Sequence, residues 1–305
     1  MKDESSDLLT VKEASRFLNI NEKKLYALVK EGRLPGTKVT GKWLFPKAQL
    51  GQFVKGKAME TIRKSFWESP VNKKVLLMCG SDDPVITIAH GHFHKTFPDF
   101  LLFSSSVGSR EGIRLLKESF CTIAVSHLYD HKQGDFNFPC IREYFQDPNE
   151  LVVINLFYRT IGFVSRDAAV QSMKECVDNK LRFINRQEGS GVRALVDHLI
   201  EDEGIKPSEL TGYDTQVFTH YDVVRSVATG LTDVGIAAES VAVSSRLVFS
   251  PIFEERFDMV VKKEAFFDRH VQAFVEFIRS DHFRDLLDMM KGYNDRETGK
   301  VVYPK

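Results

Sequence analysis

A small helix-turn-helix unit with a β-wing, set ahead of a two-lobed α/β body, is the architecture that this 305-residue sequence predicts. Three observations carry it. Near the amino end, a capping box precedes two short apolar stripes separated by a polar break. From Lys74 onward, short apolar runs are each followed by a small polar loop and an amphipathic stretch, the order of a parallel sheet with covering helices. The charge is also divided: residues 1–75 hold 16 Lys and Arg against 8 Asp and Glu, and the rest hold 26 against 34. A net charge of zero is thus a basic front on an acidic body, so the front is the part that meets a polyanion.

Hydrophobic residues at 43% and charged residues at 28% suit a soluble chain able to fill more than one core. The opening Met1–Asp7 is acidic and polar, and no later run approaches the roughly 18 to 20 uncharged residues of a membrane span. The expectation is a cytoplasmic protein with no membrane contact. Cys79, Cys121, Cys140 and Cys176 are far apart, with neither C-x-x-C pairing nor histidines at zinc spacing, and read as reduced, buried small hydrophobes.

Element by element, Thr10 and Glu13 form the capping box, and Val11, Ala14, Phe17 and Leu18 give the first helix its apolar stripe. Asn19-Ile20-Asn21 breaks the pattern. Asn21 caps a second helix whose inward face is Leu25, Leu28 and Val29. Gly32 to Gly36 is a turn, Thr37 to Phe45 two short strands bent at Thr40-Gly41, and Pro46 opens a third helix with Leu50, Phe53 and Val54 on its apolar side. The stretch from Leu8 to Phe45 resembles the excisionase-like, or MerR-like, winged helix-turn-helix family. That resemblance implies a second helix entering the major groove of double-stranded DNA and a wing on the backbone or minor groove. The residues expected at DNA are Asn21, Lys23, Lys24, Tyr26 and Lys30 on the helix, with Arg33, Lys38 and Lys42 on the turn and wing. Gly36 to Lys42 also spells G-x-x-x-x-G-K, but Trp43 stands where a phosphate-binding loop needs Ser or Thr, which excludes nucleotide hydrolysis there.

From Lys55 to Lys74, Met59, Ile62, Phe66 and Trp67 recur at near-helical spacing before Pro70. The segment reads either as a plain linker helix or as one that packs against a second subunit of a homodimer. The expected boundaries are 1–54 for the DNA-reading unit, 55–74 for this join and 75–305 for the body.

In the body, "VLLMCG", "DFLLFSSSVGS" and "CTIAVSHLYD" read as strands ending in polar loops, the first two loops opening helices. "LVVINLFYRTIGFVSR" reads as an extended pair. The order then repeats: "LRFIN" as strand, "RQEGSG" as loop, and a helix from Val192 to Glu203 with Val192, Leu195, Val196 and Leu199 on one side. "TQVFTH" and "TDVGIA" are further strands flanking a helix from Asp222 to Thr229. "LVFSPIFEERFDMVVKK" crosses back, and Phe266 to Lys291 closes with amphipathic helices. Two α/β lobes joined by crossing strands resemble the periplasmic-binding-protein-like fold (type II). The segments "SSSVGSREGIRLLKE", "AVSHLYDHKQGDFNFPCIREY", "RFINRQEGSGVRALVDHLI" and "GYNDRETGKVV" are similar to the cytosolic binding domain of molybdate-type transcriptional regulators. This likeness spans about residues 75 to 302. It implies a small oxyanion effector, molybdate or tungstate, held between the lobes.

Strand-end loops that open helices suit such an anion, because free first-turn N–H groups and the helix dipole both favour negative charge. The candidates are Ser81 after the first strand; Ser105, Ser106, Gly108 and Ser109 after the second; Ser126 and His127 after the third; Arg186, Ser190, Gly191, Val192 and Arg193 after the fourth; and His220 beyond the fifth. Of Arg186 and Arg193, one can face the cleft while the other pairs with Glu188 or a surface acid. Asp82 and Asp130 would repel an anion unless they hold an arginine or receive backbone N–H groups. The pair Asp82-Asp83 leaves open a ligand with its own donor, such as a small organic molecule or a pterin-type cofactor.

Nothing singles out catalysis. There is no G-x-S-x-G elbow, and Glu188-Gly189-Ser190-Gly191 lacks its spacing. Of His90, His92 and His94, the first and last share a helical face but have no third metal ligand at motif spacing, so no metal and no cofactor beyond the anion is expected. The reading is a ligand-sensing transcriptional regulator and not an enzyme, with a cytosolic solute-binding or storage protein as the alternative.

Overall fold

The computed structural model describes residues 7–39, 41–67, 72–131 and 133–304, with the side chains of all but 60, 62–67 and 72 among them. The chain divides into two compact units, residues 1–69 and 70–305.

In the first unit, strand β1 (Leu8–Thr10) leads into helix α1 (Val11–Leu18). Thr10 Oγ1 accepts the Glu13 N–H, and the Glu13 carboxylate takes the Thr10 N–H at 2.8 Å, closing the expected capping box. Asn19, left-handed at φ 53°, ends α1, and Asn21 accepts the Lys24 N–H at 2.8 Å to start α2 (Glu22–Lys30). The wing strands β2 (Thr37–Val39) and β3 (Lys42–Pro46) follow. β1 adds a third strand beyond the two that the sequence predicts, pairing antiparallel with β3. Ala14, Leu25, Val29, Leu34, Phe45 and Leu50 form the core. Phe17 leaves the predicted stripe and is 45% exposed.

Helix α3 (Lys47–Trp67) is continuous where the sequence predicts a third helix ending near Val54 and a separate join. Its glycines, Gly51 and Gly56, lower helix propensity without removing a hydrogen bond, and no proline intervenes before Pro70. Val54 and Met59 are 45% and 50% exposed. The side chains of Ile62, Phe66 and Trp67, on which a partner-facing stripe depends, lie outside the described ones.

The second unit starts with β4 (Val75–Gly80), α4 (Pro84–Thr96), β5 (Leu101–Ser106), α5 (Ser109–Lys117) and β6 (Ile123–Ser126). A hairpin of β7 (Tyr129–Asp130) and β8 (Asp135–Phe136) and helix α6 (Phe138–Tyr144) lead to β9 (Leu151–Ser165). Then come α7 (Met173–Asp178), β10 (Phe183–Arg186), α8 (Gly191–Asp202), β11 (Gln216–Val217), α9 (His220–Ala228), β12 (Val234–Ala238), α10 (Glu239–Ser244) and β13 (Val248–Lys262). Helices α11 (Lys263–Phe266), α12 (Arg269–Arg279) and α13 (Asp281–Asp288), with strands β14 (Tyr293–Asn294) and β15 (Val301–Tyr303), finish the chain.

Apart from the β7–β8 hairpin, which is a sheet of its own, the strands of this unit form one mixed sheet in the order β11-β10-β12-β9-β13-β6-β4-β5, with β14 and β15 also paired to β9. β5, β4 and β6 are parallel neighbours in the first lobe, and β11, β10 and β12 are parallel neighbours in the second. β9 and β13 run antiparallel through both lobes, from Val248 opposite Ser165 to Lys262 opposite Leu151. The sequence predicts a break within "LVVINLFYRTIGFVS", yet β9 is a single strand of 15 residues. Gly162 marks a close approach and not a turn, since a Cβ there would stand 2.1 Å from the Ser250 carbonyl oxygen of β13. "TQVFTH" contributes only two strand residues, because Thr219 is spent on capping α9. Each lobe has apolar cores of its own, around Phe93, Phe274 and Ile113 in the first and around Met173, Val196 and Val223 in the second.

Candidate functional site

The parallel strands deliver their carboxyl ends to the gap between the lobes, where α4, α5, α8 and α9 begin. In the first lobe Gly80, at φ 141°, turns the chain against β6, where a Cβ would meet the Val125 carbonyl oxygen at 2.1 Å. This brings Ser81 beside Ser109, whose hydroxyls lie 2.5 Å apart, and the His127 N–H donates to Ser109 Oγ at 3.3 Å. Asp83 caps α4 by accepting the Val85 N–H at 2.7 Å. In the second lobe Ser190 caps α8 through the Arg193 N–H, and Thr219 caps α9 through the Asp222 N–H.

The lobes touch. Gly191 lies under the His127 ring, where a Cβ would stand 2.3 Å from Cε1, and a Cβ on Gly108 would stand 3.3 Å from the Gly189 carbonyl oxygen. Asp82 Oδ2 accepts the His220 N–H at 2.9 Å. Further out, the His131 and His198 rings stack with centroids 3.4 Å apart. Beside this seam a cavity of about 270 Å³ is lined by Arg110, Glu188, Ser190, Arg193 and Asp197, among others.

Two charged residues that the sequence reading missed form the floor of the cleft. Arg159 of β9 donates from Nη1 to Asp83 Oδ2 at 2.6 Å and to the Asp82 carbonyl at 3.1 Å, and from Nε to Glu255 Oε2 at 3.0 Å. Its Nη2 lies 3.3 Å from His127 Nε2. A guanidinium only donates, so His127 Nε2 accepts, and Nδ1 carries the proton given to Glu255 Oε1 at 2.8 Å. His127 is therefore neutral, in keeping with burial lowering its pKa. Burial lowers that of His220 further, and its Nδ1 accepts the Ala238 N–H at 3.2 Å. Burial pushes Asp83 up to about 6 in spite of Arg159. For Glu255 burial acts upward too, but His127 and Arg159 outweigh it and hold the carboxyl below its usual range.

With Arg193, Arg186 is a buried cation with spare capacity. It is 3% exposed and donates from Nη2 to the Phe218 carbonyl at 2.7 Å and from Nε to Gln187 Oε1 at 3.3 Å. Its buried Nη1 has no hydrogen-bond partner. Burial lowers its pKa to about 10, so it stays charged at neutral pH.

Of the sequence-predicted ligand residues, Ser81, Gly108, Ser109, His127, Arg186, Ser190, Gly191 and His220 meet at this seam. The others stand differently. Ser105 and Ser106 are exposed on β5, an edge strand. Ser126 Oγ donates to Asn137 Oδ1 at 2.7 Å, within a buried group that includes Asp258. Val192 brings its amide to the start of α8, but its side chain joins the lobe core. Arg193 is 7% exposed and lines the cavity beside the seam, with Nε on Asp197 Oδ1 at 2.9 Å, its guanidinium over the Tyr213 ring and its buried Nη1 without a hydrogen-bond partner. Asp130 accepts the Gln133 N–H in the β7–β8 hairpin. A signal for the floor was available: Arg159 and Glu255 are charges inside otherwise apolar strand runs, and a buried charge requires a partner.

On the first unit, Lys23, Lys24, Tyr26 and Lys30 are exposed along α2, and Lys38 and Lys42 along the wing. Asn21 spends its Oδ1 on the α2 cap, and Arg33 Nη1 lies 3.3 Å from Glu31. Among His90, His92 and His94, His92 pairs with His282 at 2.7 Å and His94 with the Phe100 carbonyl at 3.0 Å. Among the described residues no cluster of three or more His, Cys, Asp or Glu is placed to hold a metal ion. No helix among them is long and apolar enough to cross a membrane.

Comparison with known proteins agrees with this two-part layout. The family model described as a PBP superfamily domain matches residues 90–279, and one described as a helix-turn-helix domain matches residues 8–58. The uncharacterized protein YvgK of Bacillus subtilis is 26% identical over 302 residues, spanning 96% of this chain and 97% of that one. A putative phosphate ABC transporter substrate-binding protein with bound phosphate, from Clostridium perfringens, is similar in structure (TM-score 0.55, 18% identity, 72% of this chain and 99% of that chain). So is the tungstate ABC transporter structure from Geobacter sulfurreducens (TM-score 0.52, 13% identity, 71% and 99%). At these identities the structural likeness speaks for the fold alone.

Proposed function

The chain belongs to the PBP superfamily, and from that premise we propose that it is a ligand-responsive, DNA-binding regulator whose interlobe cleft takes a small oxyanion of the tungstate or molybdate kind. The observation that carries the ligand reading is Arg186, a charged guanidinium buried at the seam with Nη1 unpartnered, beside the starts of α8 and α9. Amides, hydroxyls and buried arginines with an unpartnered Nη1 make a donor-rich setting for a tetrahedral anion. Bound ligand shifts DNA binding only if it prefers one arrangement of the lobes over the other.

Isothermal calorimetry of the full chain with molybdate, tungstate, sulfate and phosphate tests the ligand class. Saturable heat with at least one of them is expected, and silence from all would overturn the oxyanion reading. For the other end, exposed Lys23 and Lys24 on α2 are expected at DNA phosphates. A mobility-shift titration of K23A/K24A against DNA from upstream of the gene should show uniformly weaker binding. Its log K against log salt slope should be shallower by about 2, at roughly 0.9 per lost phosphate contact. An unchanged slope would remove α2 from the interface.

A further inference from the structure

We infer that Asp82 is a specificity-determining residue of the cleft: its carboxylate fills the anion position at the start of α9 and competes there with an incoming dianion. The inference rests on the oxyanion reading and specifies how the same site discriminates. Asp82 Oδ2 takes the His220 N–H at 2.9 Å, from the loop after β4 to a helix of the opposite lobe. α9 has nine residues, and Thr219 Oγ1 already accepts the Asp222 N–H, so the His220 amide is a first-turn donor that the helix itself does not use. The same helix start holds the Arg186 guanidinium, through the carbonyl of Phe218, one residue before the cap. The position thus combines a backbone N–H with a nearby buried cation whose Nη1 is unsatisfied. Its present occupant is a carboxylate from the chain itself.

The charge balance gives this contact its force. Arg159 is saturated by Asp83, Glu255, the Asp82 carbonyl and His127 Nε2. His127 and His220 have each committed a ring nitrogen as an acceptor, which fixes them as neutral. Arg193 has Asp197 as its acid and, like Arg186, a buried Nη1 without a partner; Arg186 is the cation held at the start of α9, and Asp82 is the carboxylate that reaches that helix from the opposite lobe. A dianion that takes the His220 N–H must displace Asp82 and then sit beside its charge in a half-buried cleft, where like charges repel more strongly than in water. The consequence is a cleft tuned against weakly held anions, closed by its own acid until a better one arrives.

The experiment is calorimetry of the full chain and its Asp82→Asn and Asp82→Ala variants with tungstate, molybdate, sulfate and phosphate. Asn keeps an oxygen for the His220 amide and loses only the charge, whereas Ala removes both. Tighter binding of the ionised dianions by both variants, by roughly tenfold or more, is expected from removal of one like charge at close range. Binding by the variants alone, with none by the parent, supports the inference equally. If the parent binds and both variants bind equally or more weakly, Asp82 is a ligand partner or a bystander; this inference fails and the oxyanion reading stands. If none of the three proteins binds any of the four anions, both fail together.

Discussion

Replacing Arg159 with methionine should destabilise the second unit by about 3–5 kcal/mol, because removing one partner leaves the others as uncompensated buried charges. Arg159 is 1% exposed and is the shared partner of Asp83 and Glu255, both 3% exposed or less. Methionine fills much of the volume, so the loss is electrostatic rather than a cavity. Denaturant titration of R159M against the parent reads it directly, and a difference under about 1 kcal/mol, the range of an exposed ion pair, would remove Arg159 from the role assigned here. The pH dependence gives a second readout. Burial already pushes Asp83 up to about 6 with Arg159 present. Without Arg159 the folded state holds its carboxyl protons to still higher pH, while the unfolded chain releases them in the ordinary range. The folded variant therefore gains stability as pH falls through its raised carboxyl pKa values, and the deficit should be smaller at pH 5 than at pH 8. R159M/E255Q, with one stranded charge fewer, should recover part of the loss.

Gly191→Ala should leave the fold intact and cost the cleft its closure. Alanine suits the first turn of a helix, so local stability should not fall. Its Cβ, however, would stand 2.3 Å from Cε1 and 2.5 Å from Nδ1 of His127. That ring has little freedom to yield: Nδ1 is held by Glu255 at 2.8 Å, Nε2 lies against Arg159, and the face stacks on Phe257 at 5.3 Å. Overpacking by one methyl costs about 1–3 kcal/mol, which is roughly a five- to 150-fold loss of anion affinity if binding requires the lobes to meet. Calorimetry beside a thermal melt separates the two effects. Unchanged affinity would mean that the ligand does not use the closed seam.

The parts legible in the sequence were those written in local chemistry. Thr10 with Glu13, and Asn21, announce helix starts, and both cap as the spacing implied. The strand-loop-helix rhythm placed Ser81, Ser109, His127, Arg186, Gly191 and His220 at one seam, because strand ends in a parallel sheet converge whatever the intervening length. What stayed hidden depends on distant pairing. Arg159 and Glu255 are 96 residues apart in the chain, and only the register of β9 against β13 sets them side by side. Arg159 lies in a run that reads as an extended pair and folds as one strand. The fate of Arg193 was open for a related reason: Tyr213, which receives its guanidinium, comes from beyond α8. Ser105 and Ser106 misled because a serine-rich strand end looks alike on an edge strand and in a cleft.

The double passage of β9 and β13 also decides how the halves can part. With two long strands in place of loops, the lobes are the two blades of one torsion spring, joined through a ladder interrupted at Pro251/Phe253 and at Phe257/Asp258. Those bulges are where the strands bend with least resistance. The second lies beside the stacked pair of Phe257 and His127, the ring that covers Gly191. Any change in the gap between the lobes must therefore pass through the β9–β13 ladder.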